Sequence, residues 1–434
     1  MLFYRKAPGD VLAVLEQRDK DKYALQRCVA ELSRLVQYDP TVREAMARDE
    51  LVPRLATSMH HHATDPDLLL QLCVFLQTVV IYDEKSTAEF QSAIVKTGLW
   101  RLMLDAMRRD EALVSPLQVE GCKLTSILCY DYPGAPHEEN QNEMATAGIL
   151  DVVVGLIECD APLPSTYVIA VQVLADLCYK NAANVDRVIS LDIMGLLTHG
   201  LHAHANNLAI VQGISTAFFF MVVANPEAAK ASMLQCKVLE RLLQCLNSPS
   251  SDIDTSYYLL RLIEVMLRKN GESFYPSPLP SRGLEPAKDL FCSLNGPVGL
   301  VATLERLRDK RKESMAHLVY IAAIIFSSLT LQLPSGDVET TAGRIVPHVE
   351  RTQRLLKDAI HLFATSSLTN FPKETYVLEQ CICLIERLVI TNPNRLLLVR
   401  AGATRHMRYI YNTKQHEGLL ELCERVMCTL DKET

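Results

Sequence analysis

Apolar residues recur at helical spacing along almost the whole chain of 434 residues. Runs such as 68–76 and 168–178 are too long for strands, and neither alternates with a period of two. The runs break at Pro, Gly and Asn, which predicts many short helices. The pattern also repeats. A short apolar helix opened by a turn residue occurs at 50–59, 98–107, 148–157, 192–201, 237–246, 296–305 and 402–411. The first five intervals are 48, 50, 44, 45 and 59 residues, and the last is 106, close to two periods. A degenerate copy is therefore expected near 344–353. Periods of this size belong to stacked-repeat architectures.

A second recurring unit precedes many of these by about ten residues. It is an apolar helix ending in Asn-Pro or a near equivalent. Residues 28–40 align with 381–393, and further copies lie at 170–181 and 218–226. Proline lacks the N–H needed to extend a helix but sits well in the first turn of the next. Each such pair thus ends a long helix and opens a short one. One three-helix unit cannot bury both of its apolar faces, whereas stacked neighbours join them into a continuous core.

This pattern resembles the armadillo repeat, which grades into the HEAT repeat. There a short first helix follows Asn-Pro, a second begins at Gly-Ala-ϕ-Pro, and a long third carries Ala-x-Trp-Ala-Leu-x-Asn-Leu. The resemblance spans residues 11–429 as seven or eight imperfect copies. It implies an all-α chain, a right-handed α-solenoid superhelix of about seven to eight three-helix repeats. Residues 1–434 then form a single array with loop insertions near 131–143, 273–286 and 333–343. It also implies that third helices line a concave face, where some members clamp an extended peptide with a ladder of Asn and Trp. An Asn amide both donates and accepts, which suits a peptide backbone. The Asn places read approximately Arg34, Thr78, Ser126, Asp176, Phe220, Val265 and Arg387. The Trp places read Ala30, Val74, Cys122, Gln172, Thr216, Arg261 and Cys383. No place keeps Asn or Trp, so the fold is expected without the peptide ladder, and a nuclear-import adaptor is not.

Composition narrows the function class. With 49% apolar and 22% charged residues the chain can bury a large core. A net charge of −7 argues against a general nucleic-acid binder, which needs excess Lys and Arg to displace counterions. The first ten residues lack an apolar stretch after their positive charges, so no signal peptide is expected. The most apolar segment, 208–224, is interrupted by Gln212, Gly213, Ser215 and Thr216 and reads as a buried helix, with no membrane insertion. Thirteen cysteines dispersed through apolar runs read as small buried hydrophobes of a reducing compartment. The expected location is the cytoplasm, with cytoskeleton or cilium as compatible niches.

No phosphate loop, Gly-x-Gly-x-x-Gly, Gly-x-Ser-x-Gly, His-Glu-x-x-His or Cys-x-x-Cys occurs. His60, His61 and His62 close one short helix, and His199, His202 and His204 close another; partly cationic imidazoles suit a helix C-terminus. No metal site, cofactor or enzymatic activity is expected. Charge is distributed unevenly instead. From Leu124 to Tyr179 there is no Lys or Arg, against Asp131, Glu138, Glu139, Glu143, Asp151, Glu158, Asp160 and Asp176. From Arg387 to His416 there is no Asp or Glu, against Arg387, Arg395, Arg400, Arg405, Arg408 and Lys414. Opposite patches steer and orient partners. The candidate protein-binding residues are Arg34, Gln172, Asp176 and Arg387 on the ladder, and Glu138 and Glu139 in the acidic run. Arg405, Arg408 and Tyr409 are placed to hold an acidic segment. The expected function is a non-enzymatic scaffold binding other proteins within a larger cytosolic or cytoskeletal assembly. The alternative is a regulator, exchange factor or chaperone of a small GTPase or G-protein subunit, its acidic region competing for the nucleotide-site Lys or Mg2+.

Overall fold

The computed structural model describes residues 8–38, 50–80, 87–109, 115–131, 134–158, 164–268, 285–308, 312–330, 347–389, 392–414 and 416–431. Among these residues are 25 α-helices. The only strands described are Tyr130–Asp131 and Ala135–Pro136, which pair antiparallel. The chain divides into two compact units, Met1–Leu197 with Val223–Ala229, and Thr198–Val222 with Lys230–Thr434.

In the first unit the long helices Lys22–Tyr38, Pro66–Val80, Pro116–Leu128 and Pro164–Cys178 pack each upon the next. Ahead of each lies a short helix: Pro8–Gln17, Leu51–Met59, Leu99–Arg109 and Ile149–Glu158. In the second unit Ile253–Leu267, Lys312–Leu329, Thr375–Leu388 and Glu417–Leu430 pack in the same succession. Their short partners are Val238–Asn247, Gly296–Leu307, Ile360–Asn370 and Ala403–Thr413. Complete trios of first, second and third helix start at Thr87, Glu138, Ala182, Pro226, Glu285, Pro347 and Asn392, and two helix pairs precede them. Each long helix buries a two-sided apolar face, as Leu69, Leu72, Cys73 and Leu76 do in Pro66–Val80.

One residue in the left-handed conformation opens each second helix from Leu51–Met59 onward: Glu50, Gly98, Gly148, Asp192, Lys237, Asn295, Ala359 and Gly402. It turns the chain sharply enough for the second helix to fold back beside the first. Only glycine adopts this backbone freely; other residues are strained there by about 1–2 kcal/mol. This corrects two expectations. The turn ahead of Gly296–Leu307 is Asn295, and Gly296 is helical, where a Cβ would run into the Phe291 ring. The region 344–353 holds part of a first helix, Pro347–Lys357, and the missing second helix is Ile360–Asn370. Ala359 carries no turn signature, so the sequence hid it. Lys237→Gly is expected to leave stability unchanged or raise it by up to about 1 kcal/mol, because relieved strain opposes the entropy of a freer unfolded chain. Gly148→Ala, at φ 99 with its Cβ directed into the Arg108 guanidinium, is expected to cost about 1–2 kcal/mol. Urea unfolding of both variants checks the sign; equal midpoints would refute it.

Buried polar side chains on first helices satisfy the carbonyls that a helix C-terminus leaves unpaired. Gln91 Nε2 donates to the carbonyls of Ile127 (2.8 Å) and Tyr130 (2.6 Å), and Gln141 Nε2 to those of Asp176 (2.8 Å) and Tyr179 (3.2 Å). Lys230 and Arg395 do the same for Arg268 and Leu430. Asn140, Asn184 and Asn394 reach back to Leu128, Leu177 and Leu388 at the end of the preceding third helix.

The polar segment 131–143 is therefore not merely a surface insertion. It contains the strand pair, the helix-capping His137, and the buried Asn140 and Gln141 of helix Glu138–Ala147. The segment 333–343 and nearly all of 273–286 lie outside the described residues. The described cysteines are free and mostly buried. Burial pushes the Cys122 and Cys381 thiols up to about 12 and those of Cys245 and Cys292 to about 11, as befits small core residues. No described helix is long and apolar enough to cross a membrane.

Candidate protein-binding surfaces

In the first unit, Arg34 on Lys22–Tyr38 is exposed and forks onto Glu31, with Nε 3.1 Å and Nη2 2.6 Å from the carboxylate oxygens. Gln172 is exposed on Pro164–Cys178, and its Nε2 donates to Asp176 Oδ1 at 2.7 Å. Asp176 itself is 2% exposed. The same oxygen accepts from the Tyr130 hydroxyl at 2.6 Å, and Ser126 donates to the carboxylate as well. Burial raises this carboxyl to about 6, and the three hydrogen bonds keep it from rising further. Asp176 is thus an internal tie between the strand pair and its third helix; Gln172 is the member of the pair that faces solvent. Cys122, at a Trp place, is fully buried, and the adjoining Lys123 points outward.

Two acids of the run are answered by cations of the preceding repeat. Lys96 lies 3.3 Å from Glu139, and Arg108 2.6 Å from Asp151. Glu138 and Glu139 are exposed in the first turn of Glu138–Ala147, where the helix N-terminus favours carboxylates. Two of the imidazoles meet Asp19, distant in sequence. His61 Nε2 is 3.3 Å from Asp19 Oδ2, and His62 Nε2 is 2.9 Å from the Asp19 carbonyl. Among the described residues no group of three or more His, Cys, Asp and Glu is placed to hold a metal ion.

In the second unit an aromatic strip runs over the third helices. Phe219 and Phe220 on Leu208–Ala224 lie 6.2 Å apart, and the Arg261 guanidinium sits 5.7 Å over Phe219. Tyr257 and Tyr258 meet edge to face at 5.8 Å, both exposed. On the next two helices Tyr376 contacts His317 at 5.5 Å and Tyr320 at 5.4 Å. Asp254 and Glu313 are exposed on these same helices, and Glu379 is half-buried, 3.6 Å from His416. The doublet Tyr257-Tyr258 is plain in the sequence but falls at neither an Asn nor a Trp place.

The basic run divides in space. Arg387 lies on the third helix Thr375–Leu388 and donates to the Ser327 carbonyl at 3.0 Å. Arg395 is buried. Arg405, Arg408 and Tyr409 lie on the second helix Ala403–Thr413, all exposed, with Arg408 3.0 Å from Asp431. The Arg387 site and the Arg405–Arg408 site therefore belong to different helices of the repeat.

No protein-family model and no curated protein matches the sequence. Solved structures match the fold. One, from work on a phosphorylation switch controlling the interaction between cadherin and beta-catenin, superimposes with a TM-score of 0.56 at 12% identity. The match covers 98% of this chain and 86% of that one. The fold is that of the armadillo repeat. A designed armadillo repeat protein gives a TM-score of 0.47 at 13% identity, and another in complex with the peptide (KR)4 gives 0.48 at 12%. Each covers 64% of this chain and 98% of its own. The armadillo unit explains why first, second and third helices recur with a left-handed residue between the first two. Of the aromatic residues described above, Phe220 alone stands at one of the named Asn or Trp places.

Proposed function

We propose that the chain is a non-enzymatic, protein-binding armadillo scaffold whose second unit receives an extended partner segment along its third helices. The observation that carries this reading is the aromatic strip of Phe219, Phe220, Tyr257, Tyr258, His317, Tyr320 and Tyr376. Rigid aromatic side chains present much contact area for little lost rotamer freedom and dominate interface energetics. The nearby acids Asp254, Glu313 and Glu379 favour a partner segment bearing Lys or Arg, whose cations also bind over tyrosine faces. Arg34 and Gln172 are the corresponding solvent-facing candidates on the first unit's third helices, and Glu138 and Glu139 an acidic accessory site.

In this reading the chain is one part of a larger cytosolic or cytoskeletal assembly, a ciliary one included. The double variant Tyr258→Ala, Tyr376→Ala, compared with wild type by quantitative affinity capture from cells, is expected to reduce recovery of the main partner at least ~10-fold. An unchanged set of partners would remove the strip from the mechanism. A GTPase regulator, the rival, would accelerate nucleotide release from its target, and a release assay across candidate GTPases separates the two.

A further inference from the structure

We propose that the first and second helices of the last repeat, Asn392–Arg400 and Ala403–Thr413, form a second docking surface that takes an acidic amphipathic segment of a partner protein. This surface is distinct from the third-helix strip and does not depend on it. The run Leu396-Leu397-Leu398-Val399 buries only Leu398. Leu396 is 45% exposed, Leu397 38% and Val399 39%, while across the turn at Ala401–Gly402 Tyr409 is 62% and Tyr411 41% exposed. Five of the thirteen large hydrophobic residues that the described structure exposes fall within residues 396–411. Scattered apolar residues on a surface are ordinary, but a concentration of them marks an interaction site.

The exposed face belongs to a well-anchored element. Asn394 donates to the Leu388 carbonyl, Arg395 to the Leu430 carbonyl, and Leu398 is fully buried. Asn392–Arg400 is thus fixed by one side while its aliphatic side faces water. A helix with no partner in this position would be expected to carry polar residues there.

Charge selects the occupant. No Asp or Glu occurs from Arg387 to His416. Among the described residues no carboxylate lies within ion-pair distance of Arg400, Arg405 or Lys414, and Arg408 has only Asp431. Guanidinium forks pair with carboxylates in two parallel hydrogen bonds, and the aliphatic and tyrosine side chains supply the dry area between such pairs. The fitting ligand carries Asp and Glu alternating with Leu, Ile or Phe. An anionic lipid surface is the weaker match. Lipid-binding segments carry dense clusters of Lys and Arg, and a chain of net charge −7 is repelled by an anionic membrane as a whole.

The test is selection of short natural-sequence segments displayed on phage, using the full chain as bait. The counter-baits are the full-chain variants Leu396→Ser with Leu397→Ser, and Arg400→Glu with Arg405→Glu. All four sites are exposed, so both variants should fold, and circular dichroism confirms it. Enriched segments are expected to be acidic with spaced large apolar residues. Peptides made from them are expected to bind at least ~10-fold more weakly to either variant. Binding should also weaken between low and high salt. Enrichment of basic or neutral segments, or equal binding to wild type and both variants, would overturn the proposal. So would co-sedimentation of the chain with phosphatidylserine vesicles in place of peptide binding. Loss of self-association in the leucine variant, seen by sedimentation, would also overturn it by making a second copy the occupant. Variants at Tyr258 and Tyr376 leave this binding intact if the two surfaces are separate.

Discussion

Asp176→Asn makes the protein more stable than wild type at pH 8, by up to about 3 kcal/mol, and most of that difference is gone by pH 4. The reason is the burial of Asp176, which lifts its carboxyl from an ordinary 3.8 to about 6. A raised carboxyl binds its proton more tightly in the folded state than in the unfolded chain. Its favourable contribution is therefore fully present below the unfolded value and is lost as pH rises through about 6. The step from 3.8 to about 6 corresponds to roughly 3 kcal/mol. The hydrogen bonds from the Tyr130 hydroxyl and Gln172 are already part of this balance, since they hold the carboxyl below where burial alone would put it. Asparagine keeps the oxygen that receives these two bonds, and its Nδ2 finds an acceptor in the Ser126 hydroxyl, which now has only to rotate. Thermal melts of both proteins from pH 4 to 8 measure the difference. Parallel curves would show that Asp176 does not titrate in this range.

Gln141→Leu is expected to be the most damaging conservative-sized change in the first unit, at about 3 kcal/mol. Its amide nitrogen serves the Asp176 and Tyr179 carbonyls, and its amide oxygen accepts from Asn181 Nδ2 at 3.2 Å. Leucine fills similar space but leaves three buried polar groups without that partner, each costing about 1–3 kcal/mol before relaxation. The loss falls where Pro164–Cys178 ends, so amide exchange should accelerate first in residues 174–181. Gln172→Leu, one turn before Asp176 but exposed, is expected to cost less than about 1 kcal/mol. If the two variants unfold at the same denaturant concentration, the sealing role assigned to Gln141 is wrong.

The repeat was legible because its causes are local. Apolar residues three and four apart, a proline that cannot continue a helix, and glycine before Leu99, Ile149 and Ala403 each act within one turn of chain. Where the same turn is made by Ala359, local chemistry falls silent and the period appeared to skip a copy. The segment 131–143 misled for a related reason. Its Asn140 and Gln141 look like loop residues until the carbonyls they serve, at Leu128, Asp176 and Tyr179, are brought beside them.

The candidate surfaces were less legible. Asp176 reads as a groove acid by position, yet its Tyr130 and Ser126 partners lie about 50 residues back and enclose it. The acidic run reads as an open patch, but Lys96 and Arg108 stand one repeat earlier and meet Glu139 and Asp151. In the basic run, Arg387 and Arg395 are drawn to helix-end carbonyls, whereas Arg405 remains outside. A charge count within a sequence window cannot register a neighbour supplied from the adjoining module.

By itself, then, the chain specified its secondary structure, its period and its all-α stacked fold, since these follow from which side chains one helix turn places together. Tertiary packing decided which polar residues serve the interior and which charges cancel. It also decided which aromatic and aliphatic residues remain on the outside. Those outcomes depend on side chains roughly one repeat apart, and burial, hydrogen bonding and Coulomb attraction act over a few ångströms of space, without regard to distance along the sequence.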